Sequence, residues 1–381
     1  MTPSARLAAA IAVLDRHLSG EPVERALTNW GRASRFAGSG DRAAVRDLVY
    51  DALRCKRSFA ALGGGMTGRG LVLGGQRKAG DPALFDGSAH GPAPVTADDT
   101  GRMPNGAEAL DVPDWLLPPL RESLGAATDA VLTAMQTRAP VFLRVNLRLA
   151  TPDAAITALA AEGITAVPHP LAPTTLEVTG NPRKVQTSQA YLTGLVELQD
   201  ASSQAVVAAL PLANGMKVLD HCAGGGGKTL AMAAQADLRL FAHDAAPQRM
   251  AELPARARRA GVELVLTAAP EAEAPFDLAL VDAPCSGSGS WRRDPEGKWR
   301  LTPERLADLT ALQAAILGRA AGLIGPGGVL AYATCSLLQA ENRDQVAAFL
   351  ARSPGWRLYE DRLFTPLQGG DGFYLAILRR E

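Results

Sequence analysis

Two cysteines stand where strands are predicted to end. Cys285 lies in Asp282-Ala283-Pro284-Cys285-Ser286-Gly287-Ser288-Gly289, directly after the apolar run FDLALV. Cys335 lies in Ala333-Thr334-Cys335-Ser336, at the end of GGVLAYATC. A lone cysteine in such a place is most often a small buried hydrophobe. Two at corresponding ends of one sheet, one of them beside an acid, point instead to chemistry, with the thiolate as the nucleophile. Residue type alone leaves open which of the two attacks.

A third segment, Val218-Leu219-Asp220-His221-Cys222 followed by Ala223, Gly224, Gly225, Gly226, Gly227, Lys228 and Thr229, reads as a strand, a glycine-rich turn and a helix start. Glycines let a ligand approach the backbone closely. A phosphate-binding loop of the Gly-x-x-x-x-Gly-Lys-[Ser/Thr] type is excluded, because its first glycine falls on Cys222. Asp244 closes the next predicted strand, LRLFAHDA. An acid there can bond both ribose hydroxyls of a nucleoside cofactor; the competing reading is a helix-capping aspartate.

These residues need a scaffold that brings strand ends together. From about residue 200 the chain alternates KVLD, LRLFAHDA, VELVLTA, FDLALVDAP, GGVLAYATC and DGFYLAILRR with helical stretches, one of which Pro254 is expected to break. That alternation predicts a mostly parallel sheet with helices on both faces and ligands at the carboxyl ends of the strands. Upstream, VFLRVNLR, a helix over 151–163, ITAVPHP and LEVTG predict a small α/β unit. Leu7, Ile11, Leu14 and Leu18 follow helical spacing, and a second helix starts near Asp41. Residues 62–112, rich in Gly and Pro, read as a long irregular segment with short helical turns.

The chain has 381 residues, a net charge of zero and 47% hydrophobic residues, enough for several cores and too balanced for a global pull on nucleic acid. Six of its 39 basic residues are lysine, and arginine suits phosphate and base contacts. Four scattered cysteines and five histidines predict reduced thiols, no disulfide framework and no metal. No signal peptide or membrane span is read, so a cytoplasmic protein is expected.

The motifs LQDASSQ, LDHCAGGGGKT, HDAAPQRM, VDAPCSGSG, YATCSLLQAEN and DGFYLAIL, taken in this order, resemble the Sun/NSUN family of RNA cytosine-5 methyltransferases over roughly residues 138–381. The N-terminal third resembles the NusB-like helical RNA-binding domain of the RsmB-like ribosomal-RNA branch. The resemblance implies a class I (Rossmann-like) methyltransferase domain with a mostly parallel seven-stranded sheet at 201–381. It implies a small α/β RNA-binding subdomain at 137–200 and a helical domain at 1–136. It also implies S-adenosylmethionine as cofactor, held by Cys222 through Lys228, Asp244 and Asp282. Cys335 would be the nucleophile, Cys285 the group that releases product, and Asp282 a contact to the cytosine. Two departures concern the loop, where Gly224 and Gly225 replace the family's usual Ala and Pro. A third is Thr267-Ala268 in place of an acid near the adenine.

RNA is the expected partner, small-subunit ribosomal RNA first and transfer RNA second, with the chain a monomer. Arg144, Arg148, Arg183, Lys184, Arg292, Arg293, Lys298 and Arg300 are expected to line its path, and Trp291 and Trp299 to stack on bases. Two rivals stay open: a methyltransferase for protein or small molecules, and a non-catalytic RNA-binding protein of antitermination type.

Overall fold

The computed structural model describes all 381 residues. They form two compact units. The first is Met1–Arg121, Gly125–Arg138 and Trp291–Arg300; the second is Glu122–Leu124, Ala139–Ser290 and Leu301–Glu381.

The first unit is helical. Helices Pro3–Leu18, Val23–Ala33, Ser39–Arg54 and Lys56–Gly63 close around Leu14, Val45, Val49, Leu53 and Leu71. The segment expected to be irregular instead contains a 12-residue helix, Gly68–Ala79. Its glycines hid it, since each weakens helix propensity. Their reason is packing: a Cβ on Gly70 would sit 2.1 Å from the Gly65 carbonyl oxygen, and one on Gly74 1.9 Å from that of Phe59. Trp291–Arg300, far away in sequence, is bound to this unit by Arg54 Nε donating to the Arg292 carbonyl (2.7 Å), Lys298 Nζ to the Arg54 carbonyl (3.1 Å) and Trp299 Nε1 to the Leu53 carbonyl (2.9 Å).

The second unit holds two sheets. The smaller comprises β1 (Val141–Val145), β2 (Thr165–Pro168), β3 (Thr175–Gly180) and β4 (Val196–Leu198), in the order β2-β3-β1-β4 and antiparallel throughout. The larger comprises β5 (Lys217–Asp220), β6 (Arg239–Ala242), β7 (Val265–Leu266), β8 (Phe276–Asp282), β9 (Ile324–Thr334), β10 (Trp356–Phe364) and β11 (Phe373–Arg380). Its order is β10-β11-β9-β8-β5-β6-β7. β11 runs antiparallel to both its neighbours and the other pairs are parallel. This is the Rossmann-like methyltransferase architecture expected. The order reverses between β5 and β8, where such sheets leave a crevice at their carboxyl ends. One local expectation is corrected: Pro254 starts the helix Leu253–Ala260 rather than breaking it, since proline at the first turn forfeits no hydrogen bond.

Candidate active site

The crevice is a cavity of about 370 Å³ lined by Asp220, Cys222, Lys228, Asp282, Cys285 and Cys335, with the glycine loop along one wall. β5 delivers Asp220, β8 delivers Asp282 and β9 ends one residue before Cys335. A larger cavity, about 640 Å³ in the helical unit around Cys55 and Phe59, brings no comparable reactive set together.

The Cys285 and Cys335 sulfurs are 3.3 Å apart. The pair divides its proton unequally. Cys285, donating to Cys335, holds its partner's thiol below the ordinary value against the opposing effect of burial, and the Lys228 ammonium adds to the lowering. Cys285 itself is pushed well above its ordinary value, by that same hydrogen bond and by burial. Cys335 is thus the more acidic of the two sulfurs. Burial pushes the Cys222 thiol up to about 12, which leaves it a wall of the cavity.

Lys228 Nζ donates to Asp282 Oδ2 at 2.7 Å and lies 4.6 Å from the centre of the Phe373 ring. Burial works against its charge, but the Asp282 carboxylate outweighs this and raises its pKa. Together they form an ion pair beside the sulfurs, part of which sequence reasoning assigned to cofactor binding alone.

The glycine loop is held in a left-handed turn, with φ of 51° at Gly224 and 80° at Gly226. A Cβ on Gly226 would meet Leu253 Cδ1 at 2.2 Å, so that glycine is required on two counts. Asp244 is buried, accepts from the Gly224 and Ala246 amides (both 2.9 Å) and pairs with Arg249 at 3.1 Å. It therefore ties the loop to the end of β6.

Asp220 was not singled out for a role. Burial raises its pKa to about 7, while Oδ2 accepts from Thr229 Oγ1 at 2.6 Å. Oδ1 is buried without a partner. An orphan acceptor at the wall of the cavity fits the ammonium end of an amino-acid-bearing cofactor such as S-adenosylmethionine. Past the end of β7, at the position where the resemblance expects an acid, Thr267 Oγ1 accepts from the Ala269 amide and the Thr267 carbonyl meets His243 Nδ1 at 3.0 Å.

Several expected RNA contacts are corrected. Arg144 is 3% exposed and donates inward, to Gln199 Oε1 at 2.7 Å and to the Gly227 carbonyl at 2.5 Å, so it braces the glycine loop. Arg292, Lys298 and Trp291 are likewise buried in the helical unit, which removes the Trp291 indole as an open stacking platform; Trp299 is half-buried, donates to the Leu53 carbonyl and has the Lys56 and Lys298 ammoniums 5.8 and 4.6 Å from its ring centre. Arg148, Arg183, Lys184, Arg293 and Arg300 remain exposed; Arg148 bonds Asp237 at 3.1 Å.

Comparison with known proteins follows the same outline. Residues 207–378 match the family described as 16S rRNA methyltransferase RsmB/F, and residues 112–186 match the ferredoxin-like domain of RsmF/B-like methyltransferases. Ribosomal RNA small subunit methyltransferase B of Klebsiella pneumoniae is 35% identical over 284 residues, 70% of this chain and 65% of the relative. That of Salmonella agona is 36% identical over 286 residues, 70% of this chain and 66% of the relative. The matched stretch therefore spans just under two thirds of these relatives' length. Among solved structures, PH0851 is similar over 100% of this chain and 99% of its own, at a TM-score of 0.77 and 22% identity. A methyltransferase homolog protein from Pyrococcus horikoshii is similar over 72% of this chain and 97% of its own, at 0.64 and 25%. Over these matched stretches the chain is similar to the 16S rRNA methyltransferases of the RsmB/F family.

Proposed function

We propose that this chain methylates carbon 5 of a cytosine in RNA, with small-subunit ribosomal RNA as the substrate class. The observation that carries the reading is the pair of sulfurs 3.3 Å apart, next to the Lys228–Asp282 ion pair. S-adenosylmethionine, held by the glycine loop, Asp220 and Asp244, supplies an electrophilic methyl group.

The residues divide the rest of the work. Carbon 5 of cytosine is a weak nucleophile while the ring is aromatic. The Cys335 thiolate adds to carbon 6 and makes carbon 5 electron-rich. Asp282 and Lys228 face the charge that builds on the ring and stabilise it. The ring takes a proton from water as the adduct forms, and Cys285, no longer bonded to a thiolate, gives its own proton to water and is left as a thiolate. After methylation it takes the proton from carbon 5, the bond from carbon 6 to Cys335 breaks, and the ring proton passes to water. The cytosine has to leave its stack to reach both sulfurs, which favours loop or single-stranded RNA. The helical unit and the exposed Arg148 and Arg293 are assigned to RNA binding.

The test is transfer of labelled methyl groups to small-subunit ribosomal RNA, transfer RNA and protein fractions in parallel. The reading expects label in the ribosomal RNA, recovered as 5-methylcytosine. Label confined to protein or small molecules would refute it.

A further inference from the structure

The mechanism leaves one buried acid unused. Glu341 follows Cys335 by six residues, at the end of the short turn Gln339–Glu341, and is 0% exposed. Its Oε1 accepts from the Ser286 amide (2.8 Å) and Gln313 Nε2 (3.0 Å). Its Oε2 accepts from the hydroxyls of Ser286 and Ser336, both at 2.5 Å. None of these donors is a cation, so neutral hydrogen bonds alone compensate its burial.

The identity of the donors matters more than their number. Ser286 directly follows Cys285 and Ser336 directly follows Cys335. Ser288 Oγ extends the link, 2.9 Å from Ser336 Oγ and accepting from the Leu337 amide at 2.8 Å. Gln313 reaches the Pro284 carbonyl at 2.9 Å, on the other side of Cys285. The Tyr332 hydroxyl fixes Glu341 in turn by donating to its carbonyl at 2.7 Å. Each cysteine loop is thereby tied to one carboxylate that lies outside the cavity lining.

We propose that Glu341 is a positioning residue: by joining Ser286 to Ser336 it sets the separation of the Cys285 and Cys335 sulfurs, and with it the handover from adduct formation to release. The separation is a property of the chain whatever it methylates; the handover rests on the methyl-transfer reading above. Glutamine at 341 retains one oxygen for the Ser286 amide and Gln313, and its amide can donate to the two hydroxyls. Alanine loses all four contacts.

The sulfur separation is read without any activity. Diamide oxidises the two reduced thiols of the full chain to a disulfide and is itself reduced to the hydrazide, and peptide masses follow the loss of two hydrogens. Disulfide formation demands close and specific geometry, so Glu341→Ala is expected to form the Cys285–Cys335 bond about tenfold more slowly, and Glu341→Gln within about threefold of the unaltered chain. In RNA methylation, Glu341→Ala is expected to lose about 100-fold in kcat with KM little changed and to retain the RNA adduct, and Glu341→Gln to recover most of the rate. Should the alanine variant not fold, Ser336→Ala carries the same test with a smaller slowing. An unchanged disulfide rate in the alanine variant (or in Ser336→Ala as its substitute), or equal slowing in the glutamine variant, overturns the proposal. Failure of the unaltered chain to methylate RNA defeats the functional reading instead, and the disulfide rates still judge Glu341.

Discussion

The cavity around Cys335 and the segment Trp291–Arg300 carry the same kinds of residue, cations next to aromatic rings. Their partners separate them. Lys228 bonds a carboxylate that itself lines a cavity, and Phe373 lies under it. Lys298 also sits over a ring, that of Trp299 at 4.6 Å, but its ammonium bonds the Arg54 backbone carbonyl. A cation bound to backbone carbonyls, with its neighbouring indole bound likewise, is a structural clamp. A cation paired with an acid beside two sulfurs is a reactive arrangement. Composition and spacing do not distinguish the two cases; burial and partner do.

The comparison can be broken at either end. The largest effect is expected at Lys228. Lys228→Met removes the cation that favours the Cys335 thiolate and should lower methyl transfer about 100-fold. It should also move the pH profile of Cys335 alkylation to higher pH, because the thiolate loses a stabilising charge. Alkylation that follows the same profile in both proteins would detach Lys228 from the sulfur.

Next comes Arg144, first read as an RNA contact. Arg144→Ala leaves the Gly227 carbonyl without its donor and should destabilise the methyltransferase unit by about 2 kcal/mol in urea unfolding. Cofactor affinity should fall with it, while the salt dependence of RNA binding stays the same. A reduced salt slope would return Arg144 to the RNA path.

Lys298 sharpens the other side. Burial lowers its pKa to about 8, whereas the unfolded chain titrates near the ordinary 10.5. Between those values the unfolded state binds more protons, so this group adds stability as pH rises and removes it as pH falls through 8. The difference in urea midpoint between the unaltered chain and Lys298→Met should change across pH 7 to 10 in that direction; a flat difference would mean the amine is solvated. The smallest effect belongs to exposed Arg293. Arg293→Glu should weaken RNA binding with a salt slope reduced by about one to two.

Much of the large sheet was legible because its strands are short apolar runs bounded by Gly, Asp and Pro, and the reactive loops follow them directly. β10 escaped notice: it is an edge strand bearing Arg357, Glu360, Asp361 and Arg362, charges that suit an edge and blur the alternation. The helix Gly68–Ala79 was hidden by glycines whose purpose is visible only against the neighbouring helix. Glu341 stood within the quoted motif YATCSLLQAEN, yet nothing in its spacing announces a carboxylate bonded to both cysteine loops. The inward turn of Arg144 depends on a carbonyl 83 residues away. Local pattern reports elements and loops; long-range pairing decides which polar residues are structural.

The central claim is the division of roles between the two sulfurs, and adduct trapping tests it most directly. Cys285→Ala and Cys335→Ala are each incubated with S-adenosylmethionine and small-subunit ribosomal RNA, then resolved on a denaturing gel. The account expects a retarded protein–RNA species with Cys285→Ala, where release fails, and none with Cys335→Ala, where attack fails. An adduct with Cys335→Ala and none with Cys285→Ala would contradict it and exchange the two roles.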